Sequence, residues 1–327
     1  MKTSNLSRRQ VLQATAVLGT SLLLPLNKLE AMSPPDGKTP GLTPGEIASI
    51  ESALGKKGAY KEAEAVHTTP IPRNDLKMKI KGEPVPIPFG FGGWVSFKKT
   101  MDGKSAMVMS DNVLQQDEVN ALISAAHANG LEIAAIHNHF FYEEPRMFYM
   151  HIHGMGSVAE LAKKYANTIR DSKLFPANQP APGPAPAMTG KENFDLPALD
   201  AIIKYTGTVN GPTYKYTIGR SDLKVTAMGV DMTTNIGLNS WASFAGKHSD
   251  AHIAGDIAML QSEVNDVIRA LRRNNLEVVA VHNHMLMDSP HMIFLHYYGR
   301  GPAGTLAQGF RAALNELGKA KEPMHHM

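Results

Sequence analysis

Leu131-Glu132-Ile133-Ala134-Ala135-Ile136-His137-Asn138-His139 recurs later in the chain as Leu276-Glu277-Val278-Val279-Ala280-Val281-His282-Asn283-His284. At the same spacing the match extends, without gaps, to the pairs Asp111/Asp256, Glu118/Glu263, Pro145/Pro290, His151/His296 and Gly154/Gly299. With a two-residue shift it continues upstream to Arg73/Arg220, Gly90/Gly237 and Trp94/Trp241. Repetition over this length predicts a duplicated domain, because each copy is longer than the repeat of any solenoid.

Composition restricts the chemistry that these two copies can perform. The chain has 327 residues, 43% of them hydrophobic and 19% charged, which is enough for two domains with cores of their own. The absence of Cys excludes thiol catalysis and disulfides, so that any metal ion would be held by His, Asp, Glu, Tyr or Met. The net charge of +3 comes from the first 31 residues, and the neutral remainder argues against a nucleic-acid partner.

The chain divides into five predicted regions. Residues 1–31 are expected to be a twin-arginine signal peptide, since Arg8 and Arg9 precede an apolar run that is too short to span a bilayer. Two repeats follow at 43–172 and 196–318, separated by a Pro/Ala-rich linker at 173–195, and a Met/His tail occupies 319–327. We therefore expect a periplasmic or secreted protein, without stable membrane insertion once the signal is cleaved.

Each repeat mixes helices and strands in an irregular order. Val119, Leu122, Ile123 and Ala126 have the spacing of an amphipathic helix. A β-branched strand then ends in His-Asn-His, a proline-containing turn follows, and a second strand returns to His151 or His296. Ser157 and Glu160 have the spacing of a capping box at the start of a closing helix. This order predicts an α+β fold of two pseudo-repeated domains, each a mostly antiparallel or mixed sheet packed by helices.

The histidines of these two strands are the candidate site. Alternate residues of a strand share one face, so His137 and His139 should lie beside His151 and His153 of the returning strand. Four imidazoles are a ligand set for a divalent metal, with zinc as the first candidate and copper as the second. Two other interpretations are a metal-free pocket for a ligand and a purely structural role.

The second repeat keeps only part of this set. His282, His284 and His296 are present, but Tyr298 stands in the place of His153. Three imidazoles and a phenol could still bind an ion, or this repeat could be a structural partner. We therefore expect the principal site in the first repeat.

Two functions fit these residues. In the enzymatic one, His137, His139 and His151 bind zinc, His153 or Glu144 completes the ligand set or assists as general base, and Arg146 orients an anionic substrate for hydrolysis. In the alternative, the protein is a non-catalytic periplasmic protein that binds a metal or an envelope ligand. Either way, the expected partner is a small-molecule or envelope ligand of unknown identity.

The chain resembles the LppY/LpqO family, exported bacterial proteins of unknown function. The resemblance rests on five motifs: Tyr214-Lys215-Tyr216-Thr217-Ile218 with Arg220 and Asp222, the Trp94-Val95-Ser96-Phe97 segment, Glu118-Val119-Asn120, His137-Asn138-His139 followed by Glu144 and Arg146, and His151-Ile152-His153-Gly154. It covers roughly 44–172 and 196–317. The lipobox Cys of the lipoprotein members is missing here. The resemblance implies export and supplies no activity or catalytic residue.

Overall fold

The computed structural model describes residues 39–183 and 186–319. The predicted signal peptide at 1–31 lies outside the described residues, and so does the predicted tail beyond Lys319. Among the described residues, no helix is both long enough and apolar enough to cross a membrane.

The first repeat begins with a helix and ends with one. Its elements are α1 (Pro44–Leu54), β1 (Ala59–Lys61), β2 (Val66–Pro72), β3 (Met78–Ile80), β4 (Glu83–Val85), β5 (Gly92–Lys99), β6 (Ala106–Gln115), α2 (Val119–Ala128), β7 (Glu132–His137), β8 (Glu143–Glu144), β9 (Met147–Gly156) and α3 (Val158–Ile169). Helix α3 starts where the capping residues predict, because the Ser157 hydroxyl accepts a hydrogen bond from the Glu160 backbone N–H at 3.4 Å.

The second repeat has the same order after a four-residue helix near the end of the predicted linker. Its elements are α4 (Gly190–Asn193), α5 (Leu196–Ile203), β10 (Thr208–Asn210), β11 (Thr213–Gly219), β12 (Thr226–Ala227), β13 (Val230–Asp231), β14 (Asn239–Lys247), β15 (Asp250–Leu260), α6 (Val264–Arg273), β16 (Glu277–His282), β17 (Asp288–Ser289), β18 (Met292–Gly301) and α7 (Ala303–Leu314).

Each repeat forms a six-stranded antiparallel sheet and a small three-stranded one. The large sheets have the equivalent orders β1-β2-β5-β6-β9-β7 and β10-β11-β14-β15-β18-β16, and the small ones are β4-β3-β8 and β13-β12-β17. The α+β prediction is confirmed. The predicted hairpin is also present, since β7 pairs with β9 and places His137 opposite Tyr149.

The two large sheets pack against each other through one face each. Helices α1 to α3 cover the outer face of the first sheet, where Phe97 and Ile152 are buried, and α5 to α7 cover the second sheet. On the inner faces, Met109 shares a buried cluster with Phe294, while Tyr149 shares another with Tyr298. The repeats thus belong to one compact unit, and the space between their sheets is shared.

A buried arginine fixes the end of the second strand in each repeat. The Arg73 guanidinium donates to the Val113 carbonyl at 2.6 Å, to Glu118 at 2.8 Å and to Asp75 at 2.9 Å. Arg220 makes the equivalent bonds to Ala258, Glu263 and Asp222. These repeated residues of the sequence therefore join β2 or β11 to the start of α2 or α6, a structural role.

Candidate metal centre

Strand register brings an aspartate and a histidine together on the inner face of each sheet. His151 of β9 lies opposite Asp111 of β6, and His296 of β18 lies opposite Asp256 of β15. In an antiparallel sheet, directly opposed residues project from the same face. All four side chains are buried, with at most 9% of any of them exposed.

The histidines at the ends of β7 and β16 meet between the sheets. The rings of His137 and His282, which are equivalent residues of the two repeats, stack with centroids 3.6 Å apart. His139 stacks on His296 at 3.7 Å, and the equivalent rings of His284 and His151 lie 4.2 Å apart. Such reciprocal contacts are typical of a two-fold arrangement. The repeats therefore contribute equivalent residues to a single cluster of six imidazoles.

Three overlapping groups in this cluster have ligand atoms close enough to share an ion. Within each group the ligand atoms lie within 4.8 Å of one another. The groups are His137, His139 and His296; His137, His151 and His282; and Asp256, His282 and His296. The shortest contact, 3.0 Å, joins the Nε2 atoms of His137 and His151. Two of the three groups take residues from both repeats.

Backbone carbonyls orient five of the six rings. Four Nδ1 atoms lie 3.0–3.2 Å from carbonyl oxygens of glycine or serine, in the pairs His139–Gly90, His284–Gly237, His151–Ser110 and His296–Gly255. In the fifth ring, His282 Nδ1 lies 3.1 Å from the carbonyl oxygen of the adjacent Asn283. A neutral ring that donates from Nδ1 to a carbonyl carries its lone pair on Nε2. The Nε2 atom of His284 differs, because it lies 2.9 Å from Asp256 Oδ2, to which it can donate. Metal-binding histidines usually donate their other ring N–H to a hydrogen-bond acceptor such as a backbone carbonyl. This hydrogen bond fixes which ring nitrogen is available as a ligand.

Burial favours the neutral form of five of the six imidazoles. It lowers the pKa of His137, His139, His151 and His296 well below the usual value, and repulsion among the neighbouring imidazoles adds to the effect. Burial likewise lowers the pKa of His282 to about 4. Among the described residues, the buried Nε2 atoms of His139, His282 and His296 have no hydrogen-bond partner. Neutral imidazoles with unpartnered nitrogens are the form that binds a metal ion.

The two equivalent aspartates differ in their surroundings. Asp256 Oδ2 lies 2.9 Å from His284 Nε2 and 3.7 Å from His296 Nε2. Burial opposes ionisation of Asp256, but these two histidines hold its pKa below the usual value. Burial raises the pKa of Asp111 to about 7, against the opposing effect of His284. At neutral pH Asp256 is therefore a carboxylate, while Asp111 is poised between its two forms.

A cavity of about 370 Å³ gives access to the cluster from one side. His139 and Asp111 lie at its wall, together with Trp94, Trp241 and Lys215. The Lys215 ammonium lies 4.5 Å from the centroid of the Trp241 ring. The volume falls within the range of small-molecule sites.

Of the histidines predicted from the sequence, six meet in the cluster and one does not. His153 also projects from the inner face, but it lies further along β9, opposite Met109 and Glu132, and it belongs to none of the three groups. Its two ring nitrogens are buried without a hydrogen-bond partner in the described part of the chain.

The two predicted catalytic residues lie at the surface. Glu144 is exposed in β8, where it pairs with Lys79 of β3. Arg146 is also exposed, and its guanidinium lies 3.7 Å from Glu143. Within residues 39–183 and 186–319, no hydrogen bond or ion pair joins either of them to the clustered imidazoles.

The sequence did not predict that Asp111, Asp256 and Lys215 belong to the site. It also did not predict that both repeats contribute residues to the site. The repetition of Asp111 as Asp256 was a usable signal, because both lie on strands that neighbour the histidine strands. Lys215 gives no such signal, since its equivalent is Thr68. The principal site in the first repeat stays a prediction, although His282 and His296 of the second repeat belong to the two groups that contain His137.

A family model described as Domain of Unknown Function (DUF1259) matches residues 48–171 and 197–316. The chain belongs to the DUF1259 family. In this DUF1259 protein the family domain occurs twice in tandem, and the cluster of imidazoles lies between the two copies. No curated protein matches the chain significantly.

Solved structures similar to this DUF1259 protein include two proteins that are distant from it. One is the double ringed trimeric shell protein MSM0271 from the RMM microcompartment, with 10% identity over 65% of this chain and 83% of that chain and a TM-score of 0.18. The other is EtuB from Clostridium kluyveri, with 10% identity over 69% of this chain and 87% of that chain and a TM-score of 0.17. TM-scores this low carry no argument about fold or function.

Proposed function

We propose that the protein binds a divalent transition-metal ion between its two repeats. The observation that carries this proposal is the convergence of buried imidazoles from both repeats, with ligand atoms within 4.8 Å of one another. Five of the rings are oriented by backbone carbonyls, so the protein holds them in place before an ion arrives. Buried polar atoms are normally satisfied, and an ion would satisfy several of them at once.

Zinc is the ion that this donor set suits best, with copper as the second candidate. Zinc binds imidazole nitrogens at about 2.0–2.1 Å in a tetrahedral arrangement, which puts neighbouring ligand atoms about 3.3 Å apart. The 3.0 Å between the Nε2 atoms of His137 and His151 is close to that value. Asp256 could add a carboxylate, which compensates part of the positive charge of a buried ion.

The cavity beside the cluster favours hydrolysis of an anionic substrate as the activity. When bound, a divalent ion polarises a carbonyl group and lowers the pKa of water. Asp111 lies at the cavity wall beside His139, where it can accept a proton, and Lys215 supplies a positive charge for the substrate. In this proposal Asp111 and Lys215 take the roles that the sequence suggests for Glu144 and Arg146. The alternative is a non-catalytic protein that binds a metal or an envelope ligand.

The proposed setting is the periplasm or the cell exterior. It rests on the twin-arginine pattern around Arg8 and Arg9 and on the resemblance to the LppY/LpqO family. The neutral charge of the chain after residue 31 agrees with a small-molecule or envelope ligand as partner.

Elemental analysis of the full chain tests the metal proposal. Purified without chelators, the wild type should carry metal, and His137→Ala and His282→Ala should both lose most of it. His127→Ala, an exposed position on α2, is the matched control and should keep it. Negligible metal in every sample would refute the proposal, and loss in His137→Ala alone would return the site to the first repeat.

A further inference from the structure

The two repeats have equivalent clefts beside the cluster, and one of the two is closed. The turn Thr234–Ile236 covers the cleft of the first repeat. There the Asn235 carbonyl accepts hydrogen bonds from Thr68 at 3.3 Å and from Ser96 at 3.0 Å. The backbone and side-chain N–H groups of Asn235 donate to Glu64 at 2.8 Å and 2.6 Å. Two of these four hydrogen bonds hold the turn against β2 and β5, and two hold it against the segment that precedes β2.

The equivalent cleft of the second repeat lacks these bonds. Pro88 takes the place of Asn235 and has no N–H group to donate. Lys215 replaces Thr68 and pairs with Ser243, the equivalent of Ser96. The Ser243 hydroxyl is buried without a hydrogen-bond partner in the described residues. The cavity of about 370 Å³ lies on this side, with Pro88 and Lys215 in its lining.

The walls of this cavity combine apolar surfaces with one cation. Trp94, Trp241 and the prolines Pro70, Pro72 and Pro88 supply flat apolar surface. Lys215 is the cationic residue of the lining, and its ammonium lies over the Trp241 ring. In the described part of the chain no hydrogen bond or ion pair holds this ammonium. A cation over an aromatic ring, with unused donors, can pair with an anion.

A second ionisable side chain in the lining limits the charge of that anion. Asp111 also lines the cavity and interacts electrostatically with Lys215, so that this acidic residue disfavours a ligand with several negative charges. A ligand with a single carboxylate for Lys215 and an apolar body for the indole rings fits this lining. The volume is enough for a molecule with one ring.

We propose that the open cavity binds a small organic monocarboxylate with an aromatic or cyclic body, held by Lys215 and covered by Trp94 and Trp241. This inference deepens the proposed function by naming its substrate class, and it rests on that function only in placing the bound molecule beside the metal centre.

Tryptophan fluorescence tests the inference directly, since the chain has two Trp residues and both line the cavity. Benzoate serves as the probe and benzamide as its neutral isostere, each titrated into metal-free and zinc-loaded full-length protein. We expect benzoate to bind at least about tenfold more tightly than benzamide to the wild type. Lys215→Met should remove this preference, and Lys215→Arg should keep it. Lys104→Met, at a site with 80% of the side chain exposed, is the matched control.

The outcomes separate this inference from the metal proposal. Equal binding of both probes, no binding of either, or an unchanged preference in Lys215→Met would overturn the carboxylate pocket, whatever the metal content. A Lys215-dependent preference for benzoate in a protein without bound metal would support the pocket and leave only the metal proposal refuted. Circular dichroism of Lys215→Met checks its folding, and Lys215→Gln replaces it if it is unfolded.

Discussion

Single residues decide the chemistry of the proposed centre, and the two aspartates illustrate how. Asp111 and Asp256 occupy equivalent positions opposite His151 and His296. Only Asp256 lies within 4 Å of histidine Nε2 atoms, at 2.9 Å from His284 and 3.7 Å from His296. Equivalent positions have therefore acquired different roles through their neighbours.

This difference predicts unequal effects of two matched substitutions. Asp256→Asn should lower zinc affinity about 10- to 100-fold, because it removes a carboxylate ligand that also holds His284. Asp111→Asn should change zinc affinity only a few-fold, because Asp111 belongs to none of the ligand groups found in the described chain. Competition with a chromophoric chelator measures both affinities. An equal loss of zinc affinity in the two variants would show that the ion lies between Asp111 and Asp256, in contact with both.

Asp111→Asn also tests hydrolysis. If Asp111 accepts the proton, the variant should keep its zinc and lose most of the turnover of a carboxylate-bearing ester such as mono-(4-nitrophenyl) succinate. Released nitrophenolate is measured by absorbance, with Glu144→Gln as the surface control. Full turnover in Asp111→Asn would remove its role as base, whereas absence of turnover in the zinc-loaded wild type would favour the non-catalytic alternative.

The buried imidazoles make the metal-free protein sensitive to acid. The pKa values of five of them lie below the usual value of about 6.5, to about 4 at His282, so the unfolded chain binds more protons than the folded one below pH 6.5. Stability should therefore fall as the pH is lowered from 6.5 to about 4, by about 1.4 kcal/mol per pKa unit and imidazole. The raised pKa of Asp111 acts in the opposite direction between 3.8 and about 7. Urea unfolding across this range measures the balance, and a flat profile would contradict the neutral cluster.

Elements position these residues, and the sequence predicts some elements better than others. The alternation of histidines in β7 and β9 predicts a shared face, and the hairpin between them is confirmed. The small sheets were not predicted, because strands of two or three residues are too short to show a period. Their presence explains the position of Glu144, since pairing of β8 with β3 holds this residue at the surface.

Substitution of either buried arginine should lower the unfolding free energy, by a larger amount for Arg220 than for Arg73. Arg73→Leu and Arg220→Leu should each cost about 3–5 kcal/mol, because each leaves a carboxylate without its partner. The loss should be larger for Arg220→Leu, since the Glu263 side chain is 2% exposed and that of Glu118 is 19% exposed. Urea unfolding of the metal-free protein gives both values. The double variant Arg220→Leu/Glu263→Leu should recover part of the loss, and no recovery would show that packing, not charge, is responsible.

At the scale of the whole molecule, the shared site could not be predicted from the sequence. Strand patterns show which residues share a face, but both faces of β9 and β18 are buried, so apolar alternation does not indicate which face meets the other repeat. The duplication therefore predicts two similar domains and leaves their packing open. Their packing is what brings the histidines of the two repeats into one cluster.

The shared centre predicts that the repeats respond to metal together. Zinc at about a hundredfold excess over its dissociation constant should add about 2.7 kcal/mol to the unfolding free energy. Because the ligand groups join both repeats, calorimetry should show one transition that moves to higher temperature as a whole, and chelator should reverse the shift. Two transitions, of which only one moves, would place the ion within one repeat.

The stacked rings of His137 and His282 have an evolutionary consequence. A side chain that meets its own counterpart is what a homodimer places on its symmetry axis, so this contact is the geometry expected of an ancestor with one domain per polypeptide. In such a dimer every substitution appears twice. Fusion of the genes removes that restriction, because the two repeats can then change independently. The cleft of the first repeat is closed by hydrogen bonds to Asn235, while the open cavity contains Lys215.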